Sequence, residues 1–338
     1  MKYYAPQIAW HDRKSLYTVD VDANQVKNDS GFTVYRLATG GSDARINIWH
    51  VKILDIPDLD KKKPVEEIEC VAELTQHQRS VNVVRFSPSS LNSLNVSASP
   101  NNESPQYLAS GDDDALIYIW KQCNEREEPL NKSITSANEF EEEAISIEIW
   151  KIYKTFRGHN KDICDLAWSA SCEFLVSGGV DNLVFVWDVV KGTKVHKLQK
   201  EHSSYVLGVA YDPFERYIAS ISNDRSLLIF SSKTGKTLQN IDRMIQENEN
   251  KEIGEIENCE ITDNDNNVQN NDLSSKNANL KKCVKLFHDQ TMMSFSRRLS
   301  FTPGGEFLIV PSGIIEKEND EIGNVLYVFS RKSLDRLV

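Results

Sequence analysis

Residues 158–188 contain Gly158-His159, the apolar run Ile163 to Trp168, Leu175-Val176-Ser177-Gly178-Gly179-Val180-Asp181, and Leu183 to Trp187-Asp188. The same text then starts again, with His202, Val206 to Tyr211, Tyr217-Ile218-Ala219-Ser220, Asp224, and Leu227 to Phe230. His159 to His202, Asp181 to Asp224 and Trp187 to Phe230 are each 43 residues apart. A period of about 40–45 residues with the same chemistry at each point marks a repeated unit of four short strands.

Working outward, the unit recurs twice more toward the N-terminus. In each copy a Ser or Thr stands four residues before an Asp, and the Asp six before an aromatic. The sets are Thr39, Asp43, Trp49; Ser110, Asp114, Trp120; Ser177, Asp181, Trp187; and Ser220, Asp224, Phe230. A histidine precedes each: His11, His77, His159 and His202. The pattern resembles the WD40 repeat family, which implies a β-propeller whose blades are each held by a His, Ser/Thr, Asp and Trp hydrogen-bond network. His with Asp also has the look of half a catalytic triad. Catalytic groupings occur once in a chain, however, and this one recurs in every unit. Only His159 follows a glycine, only Trp187 is followed by Asp, and Phe230 lacks the indole N–H donor.

The chain has 338 residues, 40% hydrophobic and 26% charged, the composition of an ordinary globular protein. No N-terminal segment looks like a signal peptide and no apolar run approaches ~18 residues, so neither secretion nor a membrane span is expected. The cysteines at 70, 123, 164, 172, 259 and 283 form no CxxC pair and no metal-ligand spacing. Reduced thiols, no metal and no cofactor are expected. Gly40-Gly41 and Gly178-Gly179 are not followed by the Lys-Ser/Thr of a nucleotide-binding loop.

Trp49 to Trp120 is 71 residues and Trp120 to Trp187 is 67, so extra chain separates these units. A single propeller region over 1–338 is expected, with polar inserts at about 89–105, 124–149 and 241–281. Asn24 to Gly31 and Ile53 to Pro64 read as loops. Lys61-Lys62-Lys63 in the second of these fits a solvated loop or a nucleic-acid contact. Residues 124–149 carry a net charge of −6 and 241–275 a net charge of −8, against −11 for the whole chain. The remaining body is therefore near +3. Two acidic segments of this kind either attract a basic partner or merely solubilise the chain.

A fifth unit reads Phe287-His288-Asp289, then Arg297-Arg298-Leu299-Ser300-Phe301-Thr302-Pro303, Phe307 to Val310, and Val325 to Phe329. With Ile8-Ala9-Trp10-His11, Val81 to Pro88, Ser110-Gly111-Asp112-Asp113, Arg157-Gly158-His159 and Tyr205 to Pro213, it resembles the family of the WD40 middle subunit of chromatin assembly factor 1. That factor is a replication-coupled histone chaperone, and the related HIR-type chaperones share the blade pattern. The resemblance implies a nuclear, non-enzymatic scaffold in a complex that deposits histones H3–H4 onto newly replicated or repaired DNA. The implied partners are the large and small subunits of chromatin assembly factor 1, histones H3–H4, and an anti-silencing H3–H4 chaperone, the last contacted partly through a C-terminal tail. DNA is engaged only indirectly, and no membrane is involved. Another WD40 adaptor, such as a ubiquitin-ligase substrate receptor, shares the blades but not the 287–303 segment.

Seven blades are expected in the family and about five are recognisable, which predicts an incomplete ring with exposed apolar flanks on the first and fifth. The strand around Ile8 to Trp10 is the expected closing strand. Arg297 and Arg298 are candidate partner contacts, because paired guanidinium groups suit carboxylates. Equally, they can flank a blade strand, paired locally.

Overall fold

The computed structural model describes residues 11–29, 32–54, 65–88, 106–123, 147–198, 202–246, 282–292, 294–316 and 322–335. Four four-stranded antiparallel sheets follow one another along the chain, each built in sequence order. The first is β1 (Leu16–Asp29), β2 (Phe32–Gly41), β3 (Ile46–Leu54) and β4 (Val65–Leu74). The second is β5 (Val81–Phe86), β6 (Tyr107–Asp112), β7 (Leu116–Cys123) and β8 (Ile149–Arg157). The third is β9 (Ile163–Trp168), β10 (Phe174–Gly179), β11 (Val184–Asp188) and β12 (Thr193–Leu198). The fourth is β13 (Val206–Tyr211), β14 (Tyr217–Ser222), β15 (Leu227–Ser231) and β16 (Thr237–Ile241).

A short hairpin, β17 (Arg243–Gln246) with β18 (Lys282–Lys285), leads to a fifth, three-stranded sheet. That sheet is β19 (Ser300–Phe301), β20 (Phe307–Glu316) and β21 (Ile322–Ser330), followed by the short helix α1 (Arg331–Asp335). The all-β, five-blade propeller arrangement is thus the one the repeat predicts.

The inner and middle strands are apolar on both faces, as they must be when a sheet is sandwiched between two others. The core accordingly lies in the seams. One cluster joins Ile46, Ile48 and Val71 of the first sheet to Val84, Leu108 and Trp120 of the second. A second joins Ile117, Ile119 and Phe156 to Ile163, Phe185 and Trp187. A third joins Val176, Val184 and Val186 to Val206, Ile218 and Phe230. The fourth joins Ile221 and Leu227 to Phe287, Leu308 and Phe329. At the two ends apolar side chains stay open, as expected for exposed flanks. Tyr17, Val19 and Val21 on β1, and Leu326 and Val328 on β21, are each more than half exposed.

The turn between the second and third strands repeats to the residue. Ala44, Ala115, Asn182 and Arg225 all have positive φ, at 64°, 61°, 64° and 70°. Left-handed backbone costs a non-glycine residue about 1–2 kcal/mol. A carboxylate offsets the cost by accepting backbone N–H bonds from the same turn. Asp43 takes that of Arg45 (3.3 Å), Asp181 that of Leu183 (3.2 Å), and Asp224 that of Ser226 (3.0 Å).

Three local expectations are corrected. Asn24 to Gly31 is not simply a loop: β1 continues to Asp29 and pairs with β2 from Phe32, through register shifts near Gln25. A polar strand can extend a hairpin because the backbone ladder, not burial, holds it. The inserts are also narrower than 124–149 and 241–281, since Ile149 opens β8, Ile241 closes β16, and Arg243–Gln246 forms β17. The Arg297 to Pro303 stretch of the fifth unit, which reads as a blade strand, is strand only at Ser300–Phe301. Its lead-in instead turns across the neighbouring sheet, with the Arg297 amide donating to the Leu207 carbonyl at 2.8 Å. Ile8 to Trp10, Lys61 to Lys63, Ser89 to Pro105 and most of both acidic segments lie outside the described residues.

Candidate functional site

The repeated polar residues meet as the pattern requires. In the third sheet, His159 Nδ1 lies 3.0 Å from Asp181, His159 Nε2 lies 2.7 Å from Ser177 Oγ, and Trp187 Nε1 donates to Ser177 Oγ at 2.9 Å. A carboxylate can only accept, so Nδ1 carries the proton and Nε2 accepts from the Ser177 hydroxyl. The relay runs Trp to Ser to His to Asp with each donor matched to one acceptor. The first sheet repeats it with His11 to Asp43 (2.7 Å), His11 to Thr39 (2.9 Å) and Trp49 to Thr39 (2.8 Å).

The second sheet corrects the sequence reading. His77 Nε2 meets Ser110 (2.7 Å) and Trp120 donates to Ser110 (2.9 Å), but His77 Nδ1 meets Asp112, not Asp114, at 2.7 Å. Asp112 also accepts the Asp114 and Leu116 amides, doing for the turn what its counterparts four residues past the Ser/Thr do elsewhere. Asp114 is half-exposed and lies 3.6 Å from Arg79. Asp112→Ala should therefore lower stability by about 1–3 kcal/mol, and so should Asp181→Ala, because each leaves buried donors unpaired. Asp114→Ala should change it by less than about 0.5 kcal/mol. Thermal melts in which the Asp112 and Asp114 variants are equally destabilised would contradict this assignment.

In the fourth sheet His202 meets Asp224 (3.1 Å) and Ser220 (2.7 Å), while Phe230 packs in the core. The Ser226 hydroxyl adds a bond to Asp224 at 2.5 Å. Burial alone would raise the Asp224 pKa. The hydrogen bond and charge of His202, with the Ser226 hydroxyl and the Ser203 amide, more than offset this and hold it at about 2. Asp181 is likewise held below the usual carboxylate range: burial works against it, and His159 with the Asn160 and Leu183 amides prevails.

A second polar cluster, absent from the sequence reading, ties the first two sheets together. Arg36 on β2 donates to Asp22 on β1 (2.9 Å) and to Glu148, just before β8 (2.7 Å). His50 (2.8 Å) and the Trp150 indole (2.9 Å) also reach Glu148, and Gln106 reaches Asp22 (3.3 Å). Arg36, Asp22 and Glu148 are all buried. Burial pushes the Glu148 carboxyl up, but the bonds from His50, Arg36 and Trp150 bring it to about 2. Glu148 and Asp224 have depressed folded-state values. Each contributes stability that is fully present above its unfolded value near pH 4 and is lost as pH falls toward 2. Acid titration followed by tryptophan fluorescence should show no loss of fold between pH 7 and about 5, and a falling melting temperature below about pH 4. A maximum of stability at pH 3 would contradict this.

The inner strands of all five sheets line a central cavity of about 500 Å3. Its charges alternate in sign. Arg85 on β5 donates to Asp165 on β9 (2.7 Å), and Asp165 also accepts the Val209 amide (3.1 Å). Asp20 on β1 accepts the Phe86 amide (2.7 Å); burial raises its pKa against the opposing pull of Arg85 and that amide. Arg298, entering from the fifth sheet, crosses the cavity to Thr18 of the first (2.8 Å) and lies 3.7 Å from Asp165.

The two candidate arginines thus part company. Arg297 is 1% exposed, and its guanidinium donates to the His288 and Asp289 carbonyls at 2.5 and 2.6 Å. It ties down the chain at His288 and Asp289 and presents nothing at the surface. Arg298 is about one-third exposed and borders the cavity. The signal for the cavity cluster was Arg85 and Asp165, each the one charge inside a largely apolar strand, whereas Asp20 stands among other charges on β1. The Arg36 cluster left no such signal, because Glu148 is 112 residues away.

Among the described residues no group of three or more His, Cys, Asp or Glu side chains is placed to hold a metal ion. Burial pushes the Cys164 thiol up, away from nucleophilic reactivity. Each repeated histidine has both ring nitrogens occupied by structural partners. The fold and site together define a WD40-type β-propeller whose recurring polar residues serve the blades themselves.

The chain belongs to the CAF1B/HIR1 beta-propeller domain family, whose model matches residues 1–266. It is 35% identical over 338 residues to a chromatin assembly factor 1 subunit of Gallus gallus, covering 99% of this chain and 49% of that protein. It is 37% identical over 330 residues to chromatin assembly factor 1 subunit FAS2 homolog of Oryza sativa subsp. japonica, covering 98% of this chain and 52% of that one. Protein HIR1 of Kluyveromyces lactis is 29% identical over 242 residues, 70% of this chain and 24% of its own. The chain spans about half the length of the chromatin assembly factor 1 relatives from Gallus gallus and Oryza sativa.

Proposed function

We propose that this propeller is a non-enzymatic scaffold subunit of a nuclear histone chaperone complex that places H3–H4 on newly replicated or repaired DNA. The observation that carries the reading is the likeness to proteins named as chromatin assembly factor 1 subunits, which runs across all five sheets rather than across isolated repeats. The geometry supports it. The repeated polar side chains are turned inward to hold the blades, and the apolar faces left open at both ends suit further protein rather than a small substrate.

In this reading the large and small subunits of the complex are partners of the propeller, and the anti-silencing H3–H4 chaperone is reached chiefly through a C-terminal tail of the family rather than through the blades. The acidic segments within 124–149 and 241–281 supply the long-range attraction for basic histones. DNA is reached through the histones. Purification of the tagged chain from nuclear extract tests the proposal. Recovery of H3 and H4 with a large, charged chaperone subunit supports it. Recovery of a cullin adaptor without histones would replace it with the ubiquitin-ligase receptor reading.

A further inference from the structure

We propose that the outer rim of the second and third sheets is a docking strip for an extended segment of another protein in which acidic and apolar side chains alternate. β8 and β12 are the edge strands of their sheets. β8 carries Lys151, Lys154 and Arg157; the turn into β12 and the strand itself carry Lys191, Lys194 and Lys197. Neither residues 149–157 nor residues 189–198 contain a carboxylate. Asp188 pairs with Lys191 at 2.8 Å, and Glu148 is buried on Arg36. Among the described residues the other five cations have no salt-bridge partner.

The two edges form one strip because each fits the other's glycine. The Lys154 stem passes 3.3 Å from where a Cβ on Gly192 would lie, and the Lys194 ammonium 2.9 Å from where one on Gly158 would lie. Lys194 also sits over the Phe185 ring, 4.2 Å from its centroid, which fixes its charge at the rim.

Lysine on an edge strand commonly guards against aggregation, and that role would account for the cations alone. It does not account for Ile149, Ile152, Val190 and Val195, which stand exposed among them. Phosphate backbone would match the charge and leave these side chains against water. An acidic and apolar strand matches both and finds an open edge to lie along. The strip stops at the first sheet, whose rim strand β4 bears Glu67, Glu69 and Glu73 and would repel such a segment. Basic histone tails are repelled by the strip, so the inference stands apart from the histone reading and can fail without it.

The test uses the full chain and a fluorescent peptide of alternating glutamate and valine. Controls are the lysine–valine and glutamate–serine versions and a short DNA duplex. The glutamate–valine peptide should bind with salt-sensitive affinity. Lys151→Glu with Lys197→Glu should weaken it by about tenfold or more without lowering the melting temperature, since both positions are exposed. Lys151→Gln with Lys197→Gln should give a smaller loss. Ile152→Ser with Val195→Ser should weaken binding at high salt as well as low. The proposal is overturned if the charge variants leave peptide affinity unchanged, if the glutamate–serine peptide binds as well, or if only the DNA duplex binds.

Discussion

Arg36→Ala is expected to destabilise the protein by about 3–5 kcal/mol, the cost of removing one partner from a buried ionic cluster. The substitution acts on two carboxylates. Asp22 is fully buried and Glu148 nearly so, and both lose the same guanidinium at once. His50 and Trp150 still reach Glu148 and Gln106 still reaches Asp22, but neither the indole nor the amide carries a charge. Arg45→Ala provides the contrast. Arg45 pairs with Glu73 at 2.7 Å, a distance as short as any in the cluster, yet both side chains are about 40% exposed. A surface pair of this kind contributes about 0–1 kcal/mol. Denaturant titration of both variants decides the matter. Equal midpoints would mean that the first two sheets do not depend on the cluster for their seam.

Gly208→Ala should cost about 3 kcal/mol, at the upper end of overpacking penalties. The position lies on β13, where the chain before the fifth sheet passes across it. A Cβ there would lie inside van der Waals contact of the Arg297 carbonyl oxygen and 2.8 Å from its carbon. The obstacle is backbone, so no side chain can rotate away. The Arg297 amide is meanwhile tied to the Leu207 carbonyl. Relief therefore requires the 294–301 segment to lift from the fourth sheet, and Leu299 and Phe301 with it. Gly304→Ala is the control, since its Cβ would meet only the Glu306 side chain, at 3.8 Å. Its effect should be within about 0.5 kcal/mol. If both variants melt together, the close approach of Arg297 to β13 is not what holds the fifth sheet in place.

The repeat made four sheets legible in the sequence, because His, Ser or Thr, and Trp or Phe recur at fixed distances and each has a structural task. The same rule failed at Asp114. Three aspartates stand in a row at 112–114, and spacing alone cannot choose among them. The structure gives them different partners: His77 for Asp112, Asn82 for Asp113 and Arg79 for Asp114. The fifth unit was legible from its strands rather than from the repeated polar residues. It lacks the polar set, and Arg297 turns inward to carbonyls rather than outward to carboxylates. Contacts between distant segments were the least legible. Arg36 with Glu148, and Arg298 with Thr18, join residues 112 and 280 apart, and no local pattern announces either.

The placement of the core in seams has a consequence for how the molecule opens. Each of the four clusters is shared by two consecutive sheets, so a sheet is stabilised chiefly by its neighbours in sequence. Such an arrangement behaves as a row of coupled units, with cooperativity passed from one to the next. The third sheet, with a full cluster on either side, should hold its amide protons longest. Exchange with deuterated solvent should advance inward from β1 and β21, whose outer faces have no described cluster. The order in which the amides of β1, β5, β9, β13 and β20 exchange would map the coupling directly, sheet by sheet.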